Sequence, residues 1–79
     1  MTDVPRTVDA LGTHCPVPLQ LLGAAMRRRP DSDVFALLAD DPLIAVDLPA
    51  WCHRHGHQLV DLHERDGEWQ GTVRRAGGI

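Results

Sequence analysis

The segment LGTHCPVP at residues 11–18 decides how this chain folds, because it turns a strand into a helix and leaves a cysteine at the junction. Proline is favoured at the first helical position, since its fixed φ suits a helix and its missing N–H would be unpaired there anyway. Pro16 therefore predicts a helix that begins at Pro16 with Cys15 as its N-cap. A sulfur at this position faces the partial positive charge of the helix start, which favours the thiolate. The sequence thus predicts a nucleophilic Cys15 whose pKa is lowered to about 5 to 7.5.

The patterns around this segment predict the order strand, helix, strand, helix, strand, strand. Apolar residues recur at helical spacing in residues 16–29, form one continuous run at 34–39 and alternate with polar residues in 58–64. The predicted elements are strand 6–10, helix 16–29, strand 34–39, helix 42–55, strand 58–64 and strand 68–75. Because crossover connections are right-handed, both helices should lie on one face of a mixed sheet of four strands. We expect an α/β two-layer sandwich that forms one domain over residues 1–79, with a folded core at 6–75 and a frayed tail at 76–79.

The second helix has its own start and stop signals. Asp41 is predicted as its N-cap and Pro42 as its first helical residue. Pro49 lacks an N–H, so it should kink the helix or restart it near Leu48. Gly56 can adopt the left-handed conformation that ends a helix.

The last two strands are predicted to form a hairpin. Asp66 and Gly67 favour the two-residue turn that matches the twist of antiparallel strands. Alternation places Val60 and Leu62 on one face of the first strand. The inner face of the second strand should consist of Trp69, Gly71 and Val73.

Composition excludes several classes of protein. The chain has 79 residues, a net charge of −3 and no lysine, so we expect no direct nucleic-acid partner. It has no run of 18 apolar residues and no basic, apolar leader, which predicts a cytoplasmic protein without a membrane contact. Its two cysteines fit neither a disulfide framework nor a zinc motif, so a reducing compartment is expected.

Cys15 is the candidate functional residue. A cysteine between Gly12 and Pro16 in a polar turn favours exposure and function over burial. His14 could assist by proton transfer, although the better prediction is that its side chain points to solvent. Cys52 lies in the second predicted helix and should pack in the core.

Cysteine and histidine at residues 52–57 suggest a metal site, but their spacing is poor. Cys52 and His55 could share a helix face, whereas His53 points elsewhere and His57 lies beyond the helix end. We therefore predict no metal site.

The segment VDALGTHCPVP at residues 8–18 resembles the signature of the TusA/SirA family of small sulfur-carrier proteins, whose Cys-Pro-x-Pro cysteine holds sulfur as a persulfide. DDP at 40–42, DLP at 47–49, WC at 51–52 and GHQLV at 56–60 extend the likeness to roughly residues 7–75. Two features depart from the family pattern. Thr13 replaces a usually apolar residue, and the lysines that relatives often carry along the first helix are missing. Arg27, Arg28 and Arg29 are the candidates for that basic role.

The resemblance implies a relay protein without its own turnover. Cys15 would accept sulfane sulfur from a cysteine desulfurase or a rhodanese-like donor and pass it to an acceptor protein. We expect a monomer with no cofactor and no metal. The resemblance leaves three pathways open: tRNA thiolation, molybdenum-cofactor sulfuration and oxidation of inorganic sulfur.

Three other classes of protein are alternatives to this interpretation. A thiol-disulfide redox protein requires a resolving cysteine near the first one, as in Cys-x-x-Cys, but position 18 is proline here. A metal-binding or regulatory interaction module is the second alternative. A ubiquitin-like sulfur carrier ends in Gly-Gly, but Ile79 follows Gly77 and Gly78 here and blocks that chemistry.

Overall fold

The structure, a computed structural model, describes residues 5–75. Its elements follow the predicted order, and the predicted tail at 76–79 lies outside the described residues. They are β1 (Arg6–Asp9), α1 (Val17–Arg28), β2 (Val34–Ala39), α2 (Ile44–His55), β3 (Gln58–Arg65) and β4 (Glu68–Arg74).

The four strands form one mixed sheet in the order β1-β2-β4-β3. β1 runs parallel to β2, whereas β4 is antiparallel to both β2 and β3. The predicted two-layer α/β fold, with both helices on one face of a mixed sheet, is confirmed. Because β1 and β2 are parallel, the turns that follow them leave the sheet at the same edge.

The core lies between this sheet and the two helices. β2 is its central strand, with Phe35, Leu37 and Ala39 almost fully buried. Leu22 of α1 and Leu48 of α2 belong to the same core cluster and are fully buried. Within residues 5–75, neither helix has the length and apolar content needed to span a bilayer.

Both helices begin later than predicted, which corrects the two N-cap assignments. The first helical hydrogen bond of α1 runs from the Gln20 N–H to the Pro16 carbonyl, so Pro16 and not Cys15 is the N-cap. The N-cap of α2 is Leu43, whose carbonyl accepts the Asp47 N–H at 2.8 Å. Asp41 instead closes a tight turn before α2, because its side chain accepts the Leu43 N–H at 3.0 Å.

α2 passes through Pro49 as one continuous helix, so the predicted restart near Leu48 is wrong. The missing proline N–H costs one hydrogen bond of the ladder, and the burial of Leu48 and Cys52 holds the helix together across that point. Gly56 ends the helix in the left-handed conformation as predicted, with φ of 74°.

β3 contains a bulge that the alternation pattern did not reveal. Leu59 pairs with Val73 and Asp61 pairs with Thr72, so Val60 is an extra residue with no partner on β4. Val60 is 51% exposed, which corrects its predicted place on the face of Leu62. An extra residue reverses the alternation, and the inward side chains of β3 are therefore Leu59 and Leu62.

The predicted hairpin turn is present between β3 and β4. Asp66 and Gly67 both have positive φ, of 54° and 82°, as a tight two-residue turn requires. The inner face of β4 is also as predicted, since Gly71 and Val73 are buried and Trp69 packs against the core.

Candidate functional site

The turn between β1 and α1 is held by hydrogen bonds to its own backbone and to the neighbouring turn after β2. Ala10 N–H donates to the Leu38 carbonyl at 2.8 Å, which extends the parallel pairing. Gly12, with φ of 81°, donates its N–H to the Asp40 carboxylate at 3.0 Å. The Thr13 hydroxyl donates to the Ala10 carbonyl at 2.7 Å. The cysteine that follows is therefore carried by a fixed turn at the sheet edge.

Asp41 joins this turn to the start of α2. One oxygen of its carboxylate accepts the Cys15 N–H at 3.0 Å, and the other accepts the Leu43 N–H at 3.0 Å. These two hydrogen bonds are the main reasons why the pKa of Asp41 lies below its usual range. His14 Nδ1 lies 3.7 Å from the same carboxylate, but its side chain is 91% exposed. The prediction that His14 points to solvent agrees with this exposure.

The Cys15 thiol is partly buried and packs against the edge of the core. This burial, followed by the negative charges of Asp41 and Asp47 and a hydrogen bond with Asp47, raises the pKa of Cys15 to about 11. The predicted pKa of about 5 to 7.5 is therefore wrong in direction.

The local structure explains why the helix start does not activate the thiol. The Val17 N–H donates to the His14 carbonyl at 2.8 Å and is not available to the Cys15 sulfur. Pro16 and Pro18 have no N–H. The nearest backbone donors of α1 are thus absent or engaged, and burial, followed by the nearby carboxylates, raises the pKa of the thiol.

The sequence did not predict carboxylates beside Cys15, whereas in the structure Asp41 accepts the Cys15 N–H and the charges of Asp41 and Asp47 help to raise the pKa of the thiol. The available signal was topological: the loops after two parallel neighbouring strands meet at one sheet edge, so an acid in the first turn of α2 comes close to Cys15.

Cys52 occupies a different environment. It lies in α2 with 2% of its side chain exposed, within the core as predicted. Burial raises its pKa above the ordinary value. Both cysteines are free thiols.

The histidines near the end of α2 pack with Trp51. The Trp51 ring centroid lies 4.7 Å from that of His55 and 5.3 Å from that of His57. Burial, His55 and Arg75 all lower the pKa of His57. In the part of the chain that the structure describes, no group of three or more histidine, cysteine, aspartate or glutamate residues is placed to hold a metal ion.

The comparisons with known proteins agree with this fold. A family model described as sulfurtransferase TusA matches residues 6–75. This chain belongs to the TusA family. A solved SirA-like protein from Desulfitobacterium hafniense is similar at 26% sequence identity, with a TM-score of 0.75 over 90% of this chain and 97% of that chain. Membership of the TusA family indicates a sulfur-carrier role, in which such proteins work with donor and acceptor proteins.

In this TusA-family protein, the three consecutive arginines at the end of α1 separate onto two flanks of that helix. Arg27 lines a groove between α1 and α2 together with Pro16, Trp51 and Arg54. Arg28 and Arg29 line a second groove beside β1. No arginine among residues 5–75 forms an ion pair with a carboxylate. These guanidinium groups are therefore available to a negatively charged surface.

Proposed function

We propose that this protein, as one domain over residues 6–75, is a sulfur carrier that accepts sulfane sulfur as a persulfide on Cys15 and relays it to an acceptor protein. The observation that supports this best is the placement of Cys15: a partly exposed free thiol on a fixed turn, in the fold and Cys-Pro-x-Pro sequence of the TusA family. Partial exposure lets a partner's sulfur reach the thiol, whereas the core encloses Cys52.

The reaction is a thiol-persulfide exchange. The Cys15 sulfur attacks the outer sulfur of a donor persulfide, the donor S–S bond breaks, and the donor leaves as a thiol. The products are Cys15–S–SH and the donor thiol, so no oxidant or reductant is consumed. Delivery repeats the same exchange, with an acceptor thiolate as the nucleophile.

The donor and the acceptor are proposed to be proteins that dock beside the cysteine turn. A cysteine desulfurase or a rhodanese-like protein can present such a persulfide. The exposed arginines at the end of α1 support docking of an acidic protein surface, since complementary charge steers association. We place this relay in the cytoplasm, where thiols stay reduced.

Intact-mass spectrometry tests the proposal. The protein is incubated with a cysteine desulfurase and cysteine, separated from the donor and weighed. We expect the added mass of one or more sulfur atoms. Because two oxygen atoms weigh nearly as much as one sulfur atom, a portion is then treated with cyanide, which removes sulfane sulfur as thiocyanate. No added mass, or a mass that cyanide does not remove, would count against the carrier function.

A further inference from the structure

Most of the exposed large apolar side chains lie around Cys15. Among residues 5–75, five large hydrophobic residues are exposed, and four of them belong to the cysteine turn and to the starts of the two helices. The exposed fractions of these four are 39% for Leu11, 37% for Val17, 57% for Leu43 and 69% for Val46. We call these four residues the apolar patch. The fifth, Val60, lies in the bulge of β3.

One half of the apolar patch belongs to the start of α2. One carboxylate oxygen of Asp41 accepts the Cys15 N–H and the other accepts the Leu43 N–H, each at 3.0 Å. The backbones of Cys15 and Leu43 therefore lie on either side of one carboxylate. Val46 follows Leu43 by three positions and donates its N–H to the Leu43 carbonyl at 3.0 Å, so the two side chains share a helix face.

The other half of the apolar patch belongs to the cysteine turn. The Gly12 N–H donates to the Asp40 carboxylate at 3.0 Å, which fixes the backbone beside Leu11 against the turn after β2. Val17 is the first residue of α1 and follows Cys15 by two positions. A partner's sulfur that reaches the thiol therefore approaches among exposed apolar side chains.

Carboxylates border the apolar patch. Asp9 accepts the Leu11 N–H at 3.0 Å, and Asp47 directly follows Val46 along the chain. Residues 7–26 and 30–53 contain no lysine or arginine to neutralise them. Two copies of this chain that met patch to patch would bring like charges together, because a two-fold interface places the same surface on both sides. The patch therefore fits a different protein better than a second copy.

We propose that the apolar patch is the surface on which the persulfide-bearing donor protein docks, an inference that rests on the proposed carrier function. The occupant is a protein whose own cysteine is surrounded by apolar side chains. Single exposed hydrophobic residues are ordinary on a protein surface, whereas four gathered around one reactive group indicate an interaction surface. Docking there buries the four side chains and excludes water from the two sulfurs that exchange. The apolar patch holds the complex together, and the arginines at the other end of α1 steer the encounter.

The test is the rate of sulfur uptake by the Leu43→Gln, Val46→Gln double variant at one fixed pH, followed by intact mass. The concentration of the protein is varied over a fixed small amount of a cysteine desulfurase with excess cysteine. Both positions are exposed and glutamine favours a helix, so the fold should be kept. The half-saturating concentration should rise about tenfold, because docking loses apolar contact. The rate at saturation should equal that of the wild type, since neither side chain takes part in the exchange of sulfur.

Two controls separate docking from other effects. Val60→Gln also removes an exposed apolar side chain, but from β3, and should keep the wild-type half-saturating concentration. Uptake from a small donor, glutathione persulfide, should be equal in the wild type and both variants at the same pH, because a small donor needs no docking surface.

An unchanged half-saturating concentration in the double variant would overturn the proposal, as would an equal rise in Val60→Gln. Slower uptake from glutathione persulfide by the double variant would also overturn it, because the substitutions would then act on the thiol itself. A wild-type dimer in sedimentation that the double variant dissociates would assign the apolar patch to a second copy instead. Failure of the wild type to take up sulfur from either donor would overturn the carrier function, on which this inference rests.

Discussion

The state of the Cys15 thiol depends on which groups surround its sulfur, and here these are carboxylates and core side chains. In the Cys52→Ala variant Cys15 is the only thiol, and the chain has no tyrosine to interfere with the thiolate absorbance. We expect the Cys15 thiol to titrate with a midpoint of about 11, above the ordinary 9.0, because burial and two negative charges favour the neutral thiol. A midpoint below 9.0 would contradict this account and would show that the start of α1 activates the thiol.

Local sequence was sufficient to single out Cys15 but not to predict its pKa. The Gly-x-x-Cys-Pro-x-Pro pattern predicts a cysteine at a strand–helix junction, and the structure places it there. The carboxylates of Asp41 and Asp47 lie more than 20 residues away along the chain, so only the parallel pairing of β1 and β2 brings the first of them to the cysteine N–H. The sequence of the cysteine turn alone cannot predict which distant charged residues the tertiary structure brings close to the thiol.

Two glycines in different elements should respond oppositely to the same change. A Cβ at Gly71 of β4 would collide with Leu48 of α2, which is fully buried and cannot withdraw. Gly71→Ala should therefore lower the free energy of unfolding by about 1 to 3 kcal/mol. Gly23 lies in α1, where a Cβ would meet only ordinary contacts at 3.5 and 3.8 Å. Gly23→Ala should raise the free energy of unfolding by up to about 1 kcal/mol, since alanine favours a helix.

Urea unfolding of the two variants measures both effects. A Gly71→Ala variant as stable as the wild type would show that Leu48 of α2 does not pack onto β4 as described.

At the level of elements, the sequence predicted the type and order of all six, and their ends less well. Strong periodicity and the Asp66–Gly67 turn depend on neighbouring residues alone, and these predictions are confirmed. Helix starts and the Val60 bulge depend on which hydrogen bonds the tertiary structure leaves open. Those boundaries could not be derived from local pattern.

The charges of the whole molecule are segregated, although its net charge is −3. Carboxylates surround Cys15, while exposed arginines lie at the other end of α1. Reversal of Arg27 and Arg28 to Glu should slow sulfur uptake from a protein donor, mainly through association and mainly at low salt. The control reverses Arg65 and Arg74, which lie on the β3–β4 hairpin and change the net charge equally.

The rate of sulfur uptake measures this effect. It is obtained at two salt concentrations from the intact mass of samples quenched at successive times. Uptake from glutathione persulfide should be equal in both charge-reversal variants, because a small donor needs no docking surface. Equal slowing of uptake from the protein donor by the two variants would assign the effect to net charge and not to the end of α1.

The most direct test of the central claim is the intact mass of two single variants after sulfur loading by a desulfurase. Cys52→Ala should gain cyanide-labile sulfur like the wild type, because the Cys52 thiol that it removes is enclosed in the core and is not expected to carry sulfur. Cys15→Ser should gain none and should keep the fold, since Cys15 is held through its backbone N–H. If the protein were a thiol-disulfide redox protein, both single variants would lose function and the oxidised wild type would lose two hydrogens. If it were a metal-binding module, Cys52→Ala would lose bound metal. Loading that persists in Cys15→Ser and disappears in Cys52→Ala would contradict the account.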